Sequence, residues 1–134
     1  MATIRREVVL DCDLDSAWAI LRDFGSGAVI FAGPLVKCVL EGSVRRVTFA
    51  AGQSVQEQLV SLDDSEKRLV YSVLDGPFSR HSASMQLIAE GARTKFVWIS
   101  DFLPDEVAPG ILALIEEGCR AIQKNLRANL RRVP

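Results

Sequence analysis

The sequence predicts an α+β protein: a seven-stranded antiparallel sheet covered on one face by a long C-terminal helix, with two short helices after the first strand. Three observations carry this. Apolar and polar residues alternate through most of the chain, as in SRHSASMQLIAE (Ser79 to Glu90), where His81, Ala83, Met85 and Leu87 share one side and Arg80, Ser82, Ser84 and Gln86 the other. The alternating runs are joined by tight turns such as Gly42-Ser43, Ala51-Gly52 and Gly91-Ala92, so sequence neighbours pair antiparallel. After Pro104 the period changes from two to 3.6, and Ile111, Leu114, Ile115, Gly118, Ile122, Leu126 and Leu130 fall on one seam.

The elements follow in order. Thr3 to Asp11 is the first strand, with Ile4, Val8 and Leu10 on one face and Arg6 among them. Asp13 can cap a helix whose apolar positions are Leu14, Ala17, Trp18, Leu21 and Phe24, with Gly25 and Gly27 as its stop. Ala28 to Ala32 reads as a second short helical turn closed by Gly33-Pro34. Strands then run over Leu35 to Glu41, Val44 to Ala50, Gln53 to Leu62, Lys67 to Leu74, Ser79 to Glu90 and Arg93 to Leu103. The final helix is expected from about Asp105 to about Arg131, with Pro109 in its first turn or at a kink.

Composition excludes several classes. A length of 134 residues, 49% hydrophobic and 25% charged, matches one globular domain over 1–134. A net charge of -1 supplies no general basic field, so neither nucleic acid nor an anionic membrane is an expected partner. The basic end, Arg127, Arg131 and Arg132, reads as a solvated helix terminus. No apolar run is long enough to span a bilayer, and the charged N-terminus lacks a signal-peptide core, so a cytoplasmic location is the expectation. Cys12, Cys38 and Cys119 fit neither a disulfide framework nor a zinc pattern. No phosphate-binding loop or nucleophile elbow occurs, and no metal or other cofactor is expected.

Parity registers the hairpins. The Gly91-Ala92 turn sets Leu87 opposite Phe96, Met85 opposite Trp98, Ala83 opposite Ser100, and His81 opposite Phe102. Tyr71 then lies opposite His81 or Ala83, Glu57 near Tyr71 or Val73, and Arg45 or Val47 opposite Glu57. The face to be covered therefore carries Arg45, Glu57, Tyr71, His81 and Ser100 among apolar residues. It also carries missing bulk, where Ala83 and Ser100 pair beneath Gly118. Polar groups among aromatics with bulk removed describe a lined cavity. The competing reading is a solid core with a buried Arg45–Glu57 pair and His81 at its rim.

The segments AWAILRDFG, SVRRVTF, QSVQEQLVSLDD, KRLVYSVLDGPF and FVWISDFLP, with a late helix glycine before a leucine-rich end, resemble the polyketide cyclase/dehydrase branch of the START and Bet v 1-like (SRPBCC) superfamily. The resemblance spans essentially the whole chain. It implies a helix-grip fold, a curved sheet wrapped around the C-terminal helix, holding a lipid, polyketide or aromatic metabolite between them. By position, Arg45, Glu57, Tyr71 and Trp98 match residues frequent in that branch. The chain departs from it at Phe31, where relatives often have tryptophan, in a shortened Leu40 to Arg46 segment, and at Phe78-Ser79, where they often have proline. All three departures fall near the expected cavity mouth, so ligand identity does not carry over.

Two functions follow. A binding protein needs apolar walls and one or two polar groups to orient its ligand; Phe31, Arg45, Phe49, Glu57, Tyr71, His81, Ala83, Met85, Trp98, Ser100, Phe102, Ile111, Ile115 and Gly118 are the candidates. A cyclase or dehydratase would use His81 as a proton shuttle near neutral pH, Tyr71 as donor to a carbonyl or enolate, and Glu57 held by Arg45. A more remote reading is an interaction module that meets a protein through the Phe78 loop or the basic tail. The chain is expected to be a monomer or homodimer.

Overall fold

The computed structural model describes residues 1–127. Strands β1 (Ala2–Leu10), β2 (Leu35–Glu41), β3 (Val44–Phe49), β4 (Ser54–Asp63), β5 (Arg68–Val73), β6 (Arg80–Glu90) and β7 (Arg93–Leu103) form one antiparallel sheet in the order β1-β7-β6-β5-β4-β3-β2. Strands β2 to β7 are therefore a meander, and β1 returns to pair with β7. Helix α1 (Leu14–Leu21), a 3-10 turn (Phe24–Ser26) and α2 (Gly27–Ile30) separate the first two strands. A second 3-10 turn (Asp105–Val107) leads into α3 (Ala108–Asn125).

The register follows the turns. Gly42 and Gly91 have φ of 63° and 61°, which a primed two-residue hairpin turn demands and glycine adopts without strain. Leu87 pairs with Phe96, Met85 with Trp98, Ala83 with Ser100 and His81 with Phe102. Of the alternatives left open by parity, Tyr71 faces Ala83, Glu57 faces Val73, and Arg45 faces Glu57. A register shift between Leu59 and Ser61 lets β4 bend.

One face of this sheet is covered. His81, Met85 and Phe102 are buried and Trp98 is half-buried, whereas Arg80 and Ser82 are exposed; Gln86 is half-buried, with its amide donating to the Glu66 carbonyl at 3.1 Å. The centre of the core, Leu10, Phe96, Phe102 and Ile122, is fully buried. Asp13 caps α1, its carboxylate accepting from the Ser16 amide at 3.1 Å.

Three boundaries differ from expectation. Helix α1 stops at Leu21 because the Asp23 carboxylate accepts from the Gly25 amide and opens a new turn. Gly27 opens α2 in right-handed helical geometry and does not end a helix. Its lack of a side chain has another use: a Cβ there would stand 3.3 Å from Cys38 Sγ and 3.5 Å from Arg45 Nη1. Helix α3 begins at Ala108, with Pro109 in its first turn, and ends at Asn125. The Asn125 side chain turns away to donate to the Ile30 and Ala32 carbonyls at 3.0 and 3.1 Å. Leu130, Arg131 and Arg132, which the expected helix included or ended beside, lie outside the described residues.

Candidate functional site

Between the β3–β4–β5 end of the sheet and the N-terminal half of α3 lies a cavity of about 270 Å³. Its floor is the alternation of four strands: Arg45, Val47 and Phe49 from β3, Val55 and Glu57 from β4, Tyr71 and Val73 from β5, and His81 and Met85 from β6. Trp98 and Ser100 of β7 close one side, Phe31, Pro34 and Leu35 another, and Pro77 and Phe78 of the β5–β6 loop a third. Ile111, Leu114, Ile115 and Gly118 of α3 are the roof. Of the fourteen candidates named from sequence, twelve line this space; Ala83 and Phe102 do not. Ala83 is buried in the β5–β6–β7 layer between Tyr71 and Ser100, and Phe102 packs against Phe78 with ring centroids 5.5 Å apart.

The cavity takes in Gly118 and Ser100 but not Ala83, and the Trp98 ring stands against Gly118. A Cβ on Gly118 would come within 2.8 Å of Trp98 Cζ3. Glycine is there to admit the indole, which also packs against Phe31 at 5.5 Å between centroids. The open volume is displaced toward β3 and β4, where Val55, Val73 and the loop residue Gln53 join the lining. Leu114, Pro77 and Phe78 also line it without having been named as site residues. Pro77 and Phe78 stand on a loop, which has no periodicity to show which way it faces, whereas Leu114 falls on the seam that the helical period marks.

Arg45 and Glu57 form a buried ion pair, Arg45 Nε donating to Glu57 Oε1 at 2.7 Å. Their directly opposed register on β3 and β4 makes this possible. Arg45 Nη1 also donates to the Phe24 carbonyl at 3.1 Å, and the guanidinium lies 3.9 Å over the Phe24 ring. The buried pair of the solid-core reading and the cavity of the other are thus both present, side by side.

His81 is held differently from expectation. Its Nδ1 accepts the Val73 backbone N–H at 3.0 Å. Nδ1 is therefore unprotonated, the ring proton sits on Nε2, and Nε2 lies 3.3 Å from Ser100 Oγ. Burial pushes the pKa of His81 down to about 4, with Asp101 opposing weakly. At pH 7 this imidazole is therefore neutral, with its Nδ1 lone pair held by the Val73 N–H.

Tyr71 is buried, and its hydroxyl accepts from Trp98 Nε1 at 3.2 Å. Desolvation, aided by the Glu57 charge, raises its pKa well above the ordinary phenol range, so the hydroxyl stays protonated. With the Tyr71 and Ser100 oxygens both accepting, their own protons remain available to the cavity. The site is an apolar chamber with internally neutralised charge and hydrogen-bond donors on one wall.

A curved antiparallel sheet closed by one long helix over an apolar chamber is the hydrophobic-ligand-binding class of helix-grip architecture. The chain belongs to the family described as polyketide cyclase/dehydrase and lipid transport, whose model matches residues 1–133. No curated protein matches the sequence. Among solved structures it is similar to the protein XoxI of Bacillus cereus (19% identity, TM-score 0.82, covering 94% of this chain and 96% of that one). It is similar to the Zhui aromatase/cyclase of a Streptomyces species (22% identity, TM-score 0.76, 98% and 94%). It is also similar to the ginseng major latex-like protein 151 of Panax ginseng (18% identity, TM-score 0.74, 93% and 97%). At these identities the likeness is one of fold. No helix among the described residues is long and apolar enough to cross a membrane.

Proposed function

We propose that this protein binds a small, uncharged, largely apolar molecule carrying at least one oxygen acceptor, such as a ketone, lactone or quinone. The observation behind this is the polar inventory of the cavity. Tyr71 and Ser100 are neutral donors, the neutral His81 spends its proton on Ser100, and the full charges among the described lining residues, Arg45 and Glu57, pair at 2.7 Å. A carbonyl oxygen satisfies such a wall. A carboxylate would be desolvated there without a counter-ion to receive it. The volume of about 270 Å³ suits a ligand the size of two or three fused rings and is too small for a two-chain lipid.

The test is displacement of a neutral fluorescent probe, N-phenylnaphthylamine, by an aryl ketone and by the carboxylate of the same skeleton. The ketone should compete at least roughly tenfold better, the worth of a charge-free fit at about 1.4 kcal/mol. Val55→Trp, which fills the chamber from β4, should abolish probe binding without unfolding the chain. Equal competition by the carboxylate sinks the proposed ligand class.

A second reading keeps the chamber and adds chemistry. Tyr71 as donor and Glu57 as base both line it, the pairing an aldol-type cyclisation or a dehydration uses. The pairing of Glu57 with Arg45 and the neutrality of His81 favour binding over this alternative. Product formation from a polyketone surrogate, followed by mass spectrometry, separates the two. An enzyme using this carboxylate should lose roughly 10²- to 10⁴-fold in turnover in Glu57→Gln. A binding protein gives no product in either form.

A further inference from the structure

The sheet has two edges, and they are finished differently. The β1 edge is covered: α3 packs along it, Gln123 Nε2 donates to the Val9 carbonyl at 3.1 Å, and Arg6 reaches Glu116 at 3.8 Å. Among the described residues the β2 edge has no such cover. Which of its backbone groups are free follows from the ladder. Leu59 N–H donates to the Ser43 carbonyl and Phe49 N–H to the Gln53 carbonyl, so the odd residues of this segment bond to β4 and the even residues of β3 bond to β2. Thr48, Arg46 and Val44 pair with Lys37, Val39 and Glu41. Those three β2 residues therefore spend their backbone groups on β3, and Cys38 and Leu40 direct theirs outward. Among the described residues nothing bonds to them.

Natural edges are usually blunted by proline, by a dense run of charge or by an overlying element. Strand β2 has no proline and two charges, and Val36, Val39 and Leu40 are 60%, 42% and 41% exposed. It is also held firmly from behind: Cys38 and Leu40 lie 3.3 and 3.5 Å from where Cβ atoms on Gly27 and Gly25 would stand. The strand is a fixed, open template.

We propose that this edge is the seam of a homodimer, in which two copies of β2 pair antiparallel about a two-fold axis through Val39. The two charges select this register. Lys37 and Glu41 lie on the same outer face, two residues either side of Val39. Antiparallel pairing centred on Val39 sets Lys37 of each copy opposite Glu41 of the other. Centring on Cys38 sets the charges opposite Val39 and Leu35, and centring on Leu40 sets them opposite Ser43 and Val39, so neither pairs charge with charge. The same register aligns the outward backbone groups of Cys38 with those of Leu40 in the second copy, giving four inter-copy hydrogen bonds. Val39 then meets Val39 as a non-hydrogen-bonded pair, the closer kind, as do Lys37 and Glu41. The result is a continuous fourteen-stranded sheet with the two chambers on the same side of the seam strands as α2.

Sedimentation across micromolar concentrations tests this on the whole chain, with thermal melts to confirm folding of each variant. Lys37→Glu and Glu41→Lys should each weaken dimerisation roughly tenfold or more, by setting like charges opposite. The double exchange should restore it, which a merely local effect of either residue would not produce. Leu40→Pro removes an N–H that points outward, so it should abolish the dimer and spare the β2–β3 ladder. Val39→Cys, with Cys38→Ser to remove the neighbouring thiol, should form an inter-copy disulfide on oxidation, since facing residues of such a pair have Cα atoms about 4.5 Å apart. A parent that stays monomeric throughout, or a dimer that neither single charge exchange nor Leu40→Pro weakens, overturns the proposal.

Discussion

At the β1–β7–β6 end of the covered face, Leu10, Leu87 and Phe96 are at most 2% exposed and meet a fully buried Ile122 from α3. At the β3–β4–β5 end, Phe49, Val55 and Val73 are only half-buried, and an ion pair sits among them. Both ends are built from the same alternation. The first end receives two helices, α1 and the C-terminal half of α3, and their side chains fill it. Among the described residues the second receives the N-terminal half of α3, the short α2 and the 3-10 turn that carries Phe24, and volume is left over. Trp98 stands at the boundary, inserted over Gly118. An open sheet covered by a straight helix packs tightly where a second layer element helps it and stays hollow where none does. The hollow end is where polar side chains can be kept without destroying the core.

This contrast can be broken most severely at its packed end. Phe96→Ala should cost about 3–5 kcal/mol by denaturant unfolding, from lost burial and the cavity left behind. Phe49→Ala, at the hollow end, should cost about 1 kcal/mol, because its ring already borders open volume. Equal losses would mean that the two ends are packed alike.

The ion pair comes next. Glu57→Leu leaves Arg45 buried without its partner and should cost about 3 kcal/mol. Adding Arg45→Met should recover most of that, since both desolvation penalties vanish together. A double variant no more stable than the single one would show that Arg45 matters through Phe24 and not through Glu57.

The boundary should be sensitive to a single methyl group. Gly118→Ala places a Cβ 2.8 Å from Trp98 and should cost about 1–3 kcal/mol in strain. Trp98→Phe, which removes the clashing ring atoms, should relieve it. Additive losses in that double-mutant cycle would place the strain elsewhere.

The smallest effect is a change of slope with pH. His81 titrates near 4 in the folded protein and near 6.5 unfolded, so between these values the unfolded chain binds the additional proton. Stability contributed by the neutral ring is complete above pH 6.5 and is lost as pH falls toward 4. His81→Asn should flatten the unfolding free energy across that window and leave it unchanged in slope above pH 7. A parent curve as flat as the variant's would mean that the ring is solvated and the Val73 bond weak.

The sequence by itself determined the number of strands, their order along the chain, the register of β6 on β7 and which face is covered. These depend on period-two alternation and on turn lengths, both local, and a one-residue error would have turned His81 outward and Arg80 inward. It narrowed the partner of Glu57 to Arg45 or Val47, and the paired sheet settled on Arg45. Only the tertiary structure decided where the empty volume lies, since that depends on which side chains reach across from α3 and α2. Gly118 marked a gap in the seam, but the indole of Trp98, on the preceding strand β7, claims it. The state of His81 was equally beyond the sequence. Position told of an inward imidazole, while its tautomer and low pKa come from the Val73 N–H and from burial, and both exist only when β5 and β6 are paired.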